Sequence, residues 1–100
     1  MFYIYLIYSD SSDLYYVGYS DNPWRRLDEH NMSDHTTFTS KHRPWVLSAV
    51  FECGTSRAEA MKIEKFLKKQ KSKGFIKKLT ILEKFDGPLA QLVRVPHLRD

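Results

Sequence analysis

Tyr3-Ile4-Tyr5-Leu6-Ile7-Tyr8, Asp10-Ser11-Ser12-Asp13, Tyr15-Tyr16-Val17-Gly18 and Asn22-Pro23-Trp24-Arg25-Arg26 follow one another within the first 26 residues of the chain. Residues 2–8 and 14–19 are rich in β-formers, and the Asp-Ser-Ser-Asp segment between them supplies turn chemistry, so the stretch predicts a β-hairpin. Side chains alternate faces, which puts Tyr3, Tyr5 and Ile7 on one side and Ile4, Leu6 and Tyr8 on the other. A register bringing Tyr5 near Tyr16 would set two phenols on one surface. Gly18, inside a strand pattern, marks a bulge or a point where a ligand or backbone comes close.

Asp21 or Asn22 can cap a helix with Pro23 at its first position, where a missing N–H costs nothing. That helix is expected to reach about Asn31, burying Trp24 and Leu27 and placing Arg26 and His30 on one face. Its N-terminus offers backbone N–H groups to a phosphate. Residues 32–44 read as a polar loop ending at Pro44, and Trp45 to Phe51 as a third strand. Ser56-Arg57-Ala58-Glu59 fits a capping box opening a second helix, along which Ala60, Ile63, Phe66 and Leu67 recur at helical spacing. Gly74 can end it. Phe75, Leu79 and Leu82 support a shorter third helix, and Gly87-Pro88 breaks the chain before the tail.

The expected fold is α+β, a small three-stranded antiparallel sheet flanked by helices in the order ββαβαα. The expected domain spans residues 1–83, with a tail over 84–100. One hundred residues, 42% hydrophobic, suit one core. No apolar run approaches the roughly 20 residues of a membrane span, and the N-terminus reads as a strand rather than a signal peptide. The expectation is therefore a protein without membrane contact. Cys53 is the single cysteine, which excludes an internal disulfide and fits a reducing cytoplasm.

Net charge is +4, unevenly spread: nine Lys and Arg face Glu59 and Glu64 between Arg57 and Lys78, leaving −3 elsewhere. An anionic partner fits, nucleic acid first, though a solvated lysine-rich helix face has the same signature. Lys62, Lys65, Lys68 and Lys69 on the second helix, with Lys41 and Arg43 beside His42 in the loop, are the expected nucleic-acid contacts. Phe38 can stack on a base, but burial is the simpler expectation. Glu64 borders the apolar face of its helix, the place either of an ion-paired carboxylate or of a Mg²⁺ ligand completed by water and phosphate. His35, His42 and His97 have no zinc-ligand spacing.

Together these residues resemble the GIY-YIG nuclease superfamily. Tyr3-Ile4-Tyr5 stands in the place of GIY and Tyr16-Val17-Gly18 in that of YIG. Arg26, His30 and Glu64 follow in family order, and the likeness covers about residues 2–80. It is nearest to small stand-alone bacterial members similar to the N-terminal nuclease module of the excision-repair incision subunit. The resemblance implies Tyr5, Tyr16, Arg26 and His30 as catalytic residues, converging on one concave surface with Glu64 as ligand of one divalent ion, Mg²⁺ with Mn²⁺ as alternative. It further implies an endonuclease hydrolysing nucleic-acid phosphodiesters, DNA first and RNA second, in repair or processing. A targeting protein partner would supply what no appended domain does here.

Two departures stand out. Tyr19 replaces the lysine that follows YIG in the repair enzyme, and no asparagine occurs after Asn31. A non-catalytic nucleic-acid-binding module retaining the fold is the alternative, and a protein-interaction domain, with its lysines serving solubility, is a third.

Overall fold

A computed structural model of the chain describes residues 1–32, 38–70, 72–81, 85 and 87–95. The elements run β1 (Phe2–Ser9), β2 (Leu14–Ser20), α1 (Pro23–Met32), a 3₁₀ turn (Thr39–His42), β3 (Trp45–Gly54), α2 (Arg57–Lys69), α3 (Lys73–Leu79), a second 3₁₀ turn (Gly87–Leu89) and β4 (Val93–Arg94). The sheet is antiparallel in the order β2-β1-β3-β4. The small antiparallel sheet flanked by helices is as expected. A fourth, two-residue strand from the tail is added to it, pairing Phe51 with Arg94 and Glu52 with Val93.

The β1–β2 turn is held by side chains. Ser9 Oγ accepts from the Ser12 backbone N–H at 3.2 Å, and Tyr8 donates to Asp13 at 2.6 Å. Asp13 itself takes φ 53°, a left-handed conformation aspartate tolerates better than most residues, and it pairs with Lys73 of α3. Asn22, not Asp21, caps α1 by accepting from Arg25 N at 3.0 Å. Ser56 caps α2, accepting from Glu59 N at 3.2 Å, as the capping-box spacing predicts.

Two small cores lie on opposite sheet faces. Ile4, Leu6, Val17, Ala49 and Phe51 pack under Ala60, Ile63 and Leu67 of α2 and Ile76 and Leu79 of α3. Tyr5, Ile7, Val50 and Trp45 pack on the other face with Leu27 of α1. Full burial of each large apolar side chain contributes on the order of 1.5–3 kcal/mol. A register shift between Leu6 and Ile7 lets both faces of β3 stay apolar, because Ser48 is skipped and Leu47 and Val50 then share a side.

Several local expectations are corrected. Gly74 does not end α2; it lies in the first turn of α3, which Ser72 caps through Phe75 N at 3.1 Å. The buried residues of α1 are Pro23 and His30, while Trp24 and Leu27 are half-buried, Leu27 packing against the core. The polar loop carries the 3₁₀ turn Thr39–His42. Leu82, His35, His97 and residues 96–100 lie outside the described residues.

Candidate active site

Tyr5 and Tyr16 come together diagonally rather than face to face. The register pairs Tyr5 with Gly18 and Ile7 with Tyr16, so both phenols point to one sheet face, one step apart. The Tyr5 ring lies over Gly18, so the close approach expected at that glycine is made by a side chain of the neighbouring strand. Tyr5 is 1% exposed.

Behind Tyr5 stands His30. Its Nε2 is 2.9 Å from the Tyr5 hydroxyl and its Nδ1 is 3.0 Å from Thr39 Oγ1. Burial, then the charge of Arg26, pull the imidazole down to about 4, so it is neutral near pH 7. Burial likewise pushes the Tyr5 phenol up to about 12, against the opposing pull of Arg26. A neutral imidazole and a neutral phenol therefore share this contact. The backbone around it is tied down as well. Arg43 Nε donates to His30 O at 2.6 Å, Trp45 Nε1 donates to Thr39 O at 2.7 Å, and the Asn31 amide bonds both Trp45 N and Trp45 O.

Arg26 donates to Glu29 at 2.5 Å, one turn along α1, and holds that carboxyl below the usual carboxylate range. From the other side of the molecule, α2 turns Arg57, Glu64 and Lys68 toward β2, the edge strand. At 100° per residue these three fall within about 40° of one another. Glu64 has 20% side-chain exposure and lies 3.8 Å from Lys68 Nζ. The Lys68 ammonium in turn sits 4.8 Å from the centre of the Tyr16 ring, where the ring quadrupole attracts it.

One cavity of about 400 Å³ is lined by Tyr5, Tyr16, Arg26 and Glu64, together with Arg57 and Tyr19 among others. It is not a depression on one sheet face. Because α1 and α2 pack on opposite faces, the cleft wraps around the outer edge of β2. His30 does not line it and stands behind Tyr5, in contact with its hydroxyl. Of the expected nucleic-acid contacts, Lys68 adjoins the cleft. Lys62, Lys65 and Lys69 lie on another flank of α2 around Phe66 and Pro88. Lys41 is exposed on the 3₁₀ turn, and Arg43 is half-buried against His30.

Sequence reasoning did not single out Arg57 or pair Lys68 with Glu64. Their spacing from Glu64, seven residues before it and four after, is the signal that places them on its flank. No group of three His, Cys, Asp or Glu able to hold a metal occurs among the described residues. A Mg²⁺ site commonly needs only one or two protein carboxylates, with water and substrate phosphate completing the shell. Glu64, partly shielded at a cleft whose lining sets Asp21 beside phenols and guanidinium groups, fits an ion of that kind.

No curated protein matches the chain. The family model described as GIY-YIG catalytic domain matches residues 1–79, the span that carries the hairpin, α1, β3, α2 and hence the whole cleft. The chain belongs to the GIY-YIG catalytic domain family, a nuclease superfamily.

Proposed function

We propose that this protein is a metal-dependent endonuclease that hydrolyses phosphodiester bonds of nucleic acid, DNA in the first place and RNA as the alternative. The observation that carries the reading is the meeting of two phenols, a guanidinium and a carboxylate from β1, β2, α1 and α2 in one cleft. The family is generally metal-dependent, and Glu64 is the residue that would hold Mg²⁺ or Mn²⁺. Bound there, the ion supplies Lewis-acid polarisation of the phosphate and stabilises the charge of the leaving oxygen.

Tyr16, half-buried and open to the cleft, is the phenol placed to take a proton from the attacking water, directly or through a second water. Tyr5 remains protonated and acts as an oriented hydrogen-bonding group, fixed by His30. Arg26 and Arg57 meet the negative charge of the phosphate, with Arg26 held in place by Glu29. Lys68 adds a cation beside Tyr16 and Glu64. The remaining lysines of α2, with Lys41, contribute sequence-independent affinity for the backbone. The likeness of the hairpin to the excision-repair module supports a role in repair or processing, directed by a partner protein.

The test is a nicking assay on linear, branched and single-stranded substrates with and without Mg²⁺ or Mn²⁺. Metal-dependent cleavage is expected. Binding without cleavage under every metal and substrate would leave the non-catalytic nucleic-acid module as the correct reading.

A further inference from the structure

Phe38 is 52% exposed, contrary to the burial expected for it. Its ring is stacked on Tyr16 at 6.1 Å between centroids and 27° between planes. His42 packs against it at 4.8 Å. Together Tyr16 and Phe38 form one wall of a second cavity of about 390 Å³ between β2, α2 and α3. Its interior is apolar, with Leu14, Val17, Leu67 and Ile76, and two cations, Lys68 and Lys73, stand among the residues that line it. Tyr16 lines both cavities, and Lys68, which lines the second, sits beside Glu64 of the first, so the groove continues directly from the candidate active site.

We propose that this groove holds an unpaired nucleobase of the strand whose phosphate lies in the cleft, stacked against Phe38. The proposal rests on the nuclease reading above and adds a substrate class to it. An apolar recess with an exposed aromatic ring suits the flat face of a base, while Lys68 and Lys73, ion-paired with Glu64 and Asp13, keep its border polar. Its volume is that of a small-ligand site. A base inside a duplex is stacked and paired and cannot enter without being extruded, whereas a base in a single strand or at a branch enters with little cost. The groove therefore favours substrates with an unpaired nucleotide beside the scissile phosphate. A wholly duplex site gains nothing from it.

The experiment uses the full chain and oligonucleotides carrying 2-aminopurine at successive positions, single-stranded, branched or blunt duplex, in EDTA. Wild type should quench the probe at one or two positions next to the junction or in the single strand. Phe38→Ala should abolish that quenching and weaken single-strand and branched binding by roughly five- to a hundredfold. Blunt-duplex affinity should stay unchanged. Phe38→Trp should restore both effects. Phe38→Leu, which keeps apolar bulk without a ring face, should behave like alanine. Quenching at no position, an equal reduction on duplex and single strand, or a leucine variant equal to wild type each overturns the proposal. With no divalent ion present these readouts report binding alone. Absence of cleavage in a separate Mg²⁺ assay would sink the nuclease reading while leaving the base subsite standing.

Discussion

The ring of Tyr5 fills the space a side chain at position 18 would occupy: a Cβ on Gly18 would stand 2.4 Å from both Cζ and Oη of Tyr5. Neither partner can yield easily, since Tyr5 is fully enclosed and bonded to His30. Gly18→Ala should destabilise the fold by about 1–3 kcal/mol, as overpacked cores do. Its cost should shrink in a Tyr5→Ala background, where the ring is gone. Urea midpoints of the two single variants and the double variant measure the coupling, and strict additivity would contradict the contact.

Glu64→Ala is expected to abolish Mg²⁺-dependent cleavage and leave the far-UV circular dichroism unchanged, since alanine suits the middle of α2. Single-strand binding in EDTA should persist in this variant. Cleavage at the wild-type rate would remove Glu64 from the metal site.

Arg26→Ala should slow cleavage by about a hundredfold or more, a loss of roughly 2.7 kcal/mol of transition-state stabilisation. Tyr16→Phe keeps the ring that Lys68 and Phe38 touch and deletes only the hydroxyl, so it isolates proton transfer from packing. Single-turnover rates at saturating substrate should fall for both variants while affinity in EDTA holds. A Tyr16→Phe rate equal to wild type would assign the proton to another group.

Acid should weaken the fold through His30. Its folded-state value of about 4 lies below the unfolded value near 6.5, so the unfolded chain binds a proton more readily. The stabilisation from keeping it neutral is complete above about pH 6.5 and is lost as pH falls toward 4. The total is up to about 3 kcal/mol, roughly 2 of it between pH 7 and 5. Urea denaturation across that range should show the slope, and His30→Gln should flatten it. An unchanged slope in the variant would show that other groups carry the pH response.

Affinity for nucleic acid should fall steeply with salt. Engaging four phosphates predicts roughly a hundredfold drop between 50 and 200 mM salt. Replacing Lys62, Lys65 and Lys69 by alanine should reduce the logarithmic slope by about one for each phosphate the protein ceases to neutralise. A slope unaffected by the triple change would place the binding surface elsewhere, around Lys41 and Lys68.

Much of this was legible in the chain because local rules agreed with the tertiary result. Runs of β-formers around a polar turn predicted the hairpin, and Ser56 its helix start. The positions of Tyr5, Tyr16, Arg26 and Glu64 on their elements followed from period 2 and period 3.6. What could not be read is what depends on how elements meet. The skipped Ser48 reverses which β3 side chains share a face, and nothing local announces it. Gly74 looked like a helix stop because glycine often is one, but the Ser72 hydroxyl two residues earlier supplies a new start. The cleft's passage around the β2 edge, and the exposure of Phe38, depend on where α2 and the 3₁₀ turn settle.

The first and last strands leave the sheet in very different surroundings. Phe2 lines the cleft and carries the Arg57 guanidinium over its ring at 5.1 Å, whereas β4 lies at the sheet edge remote from β2. Anything tethered ahead of Met1 would crowd the entrance of the cleft. β4 starts from the sheet edge opposite β2 and the cleft, so immobilisation or labelling should be done from that end.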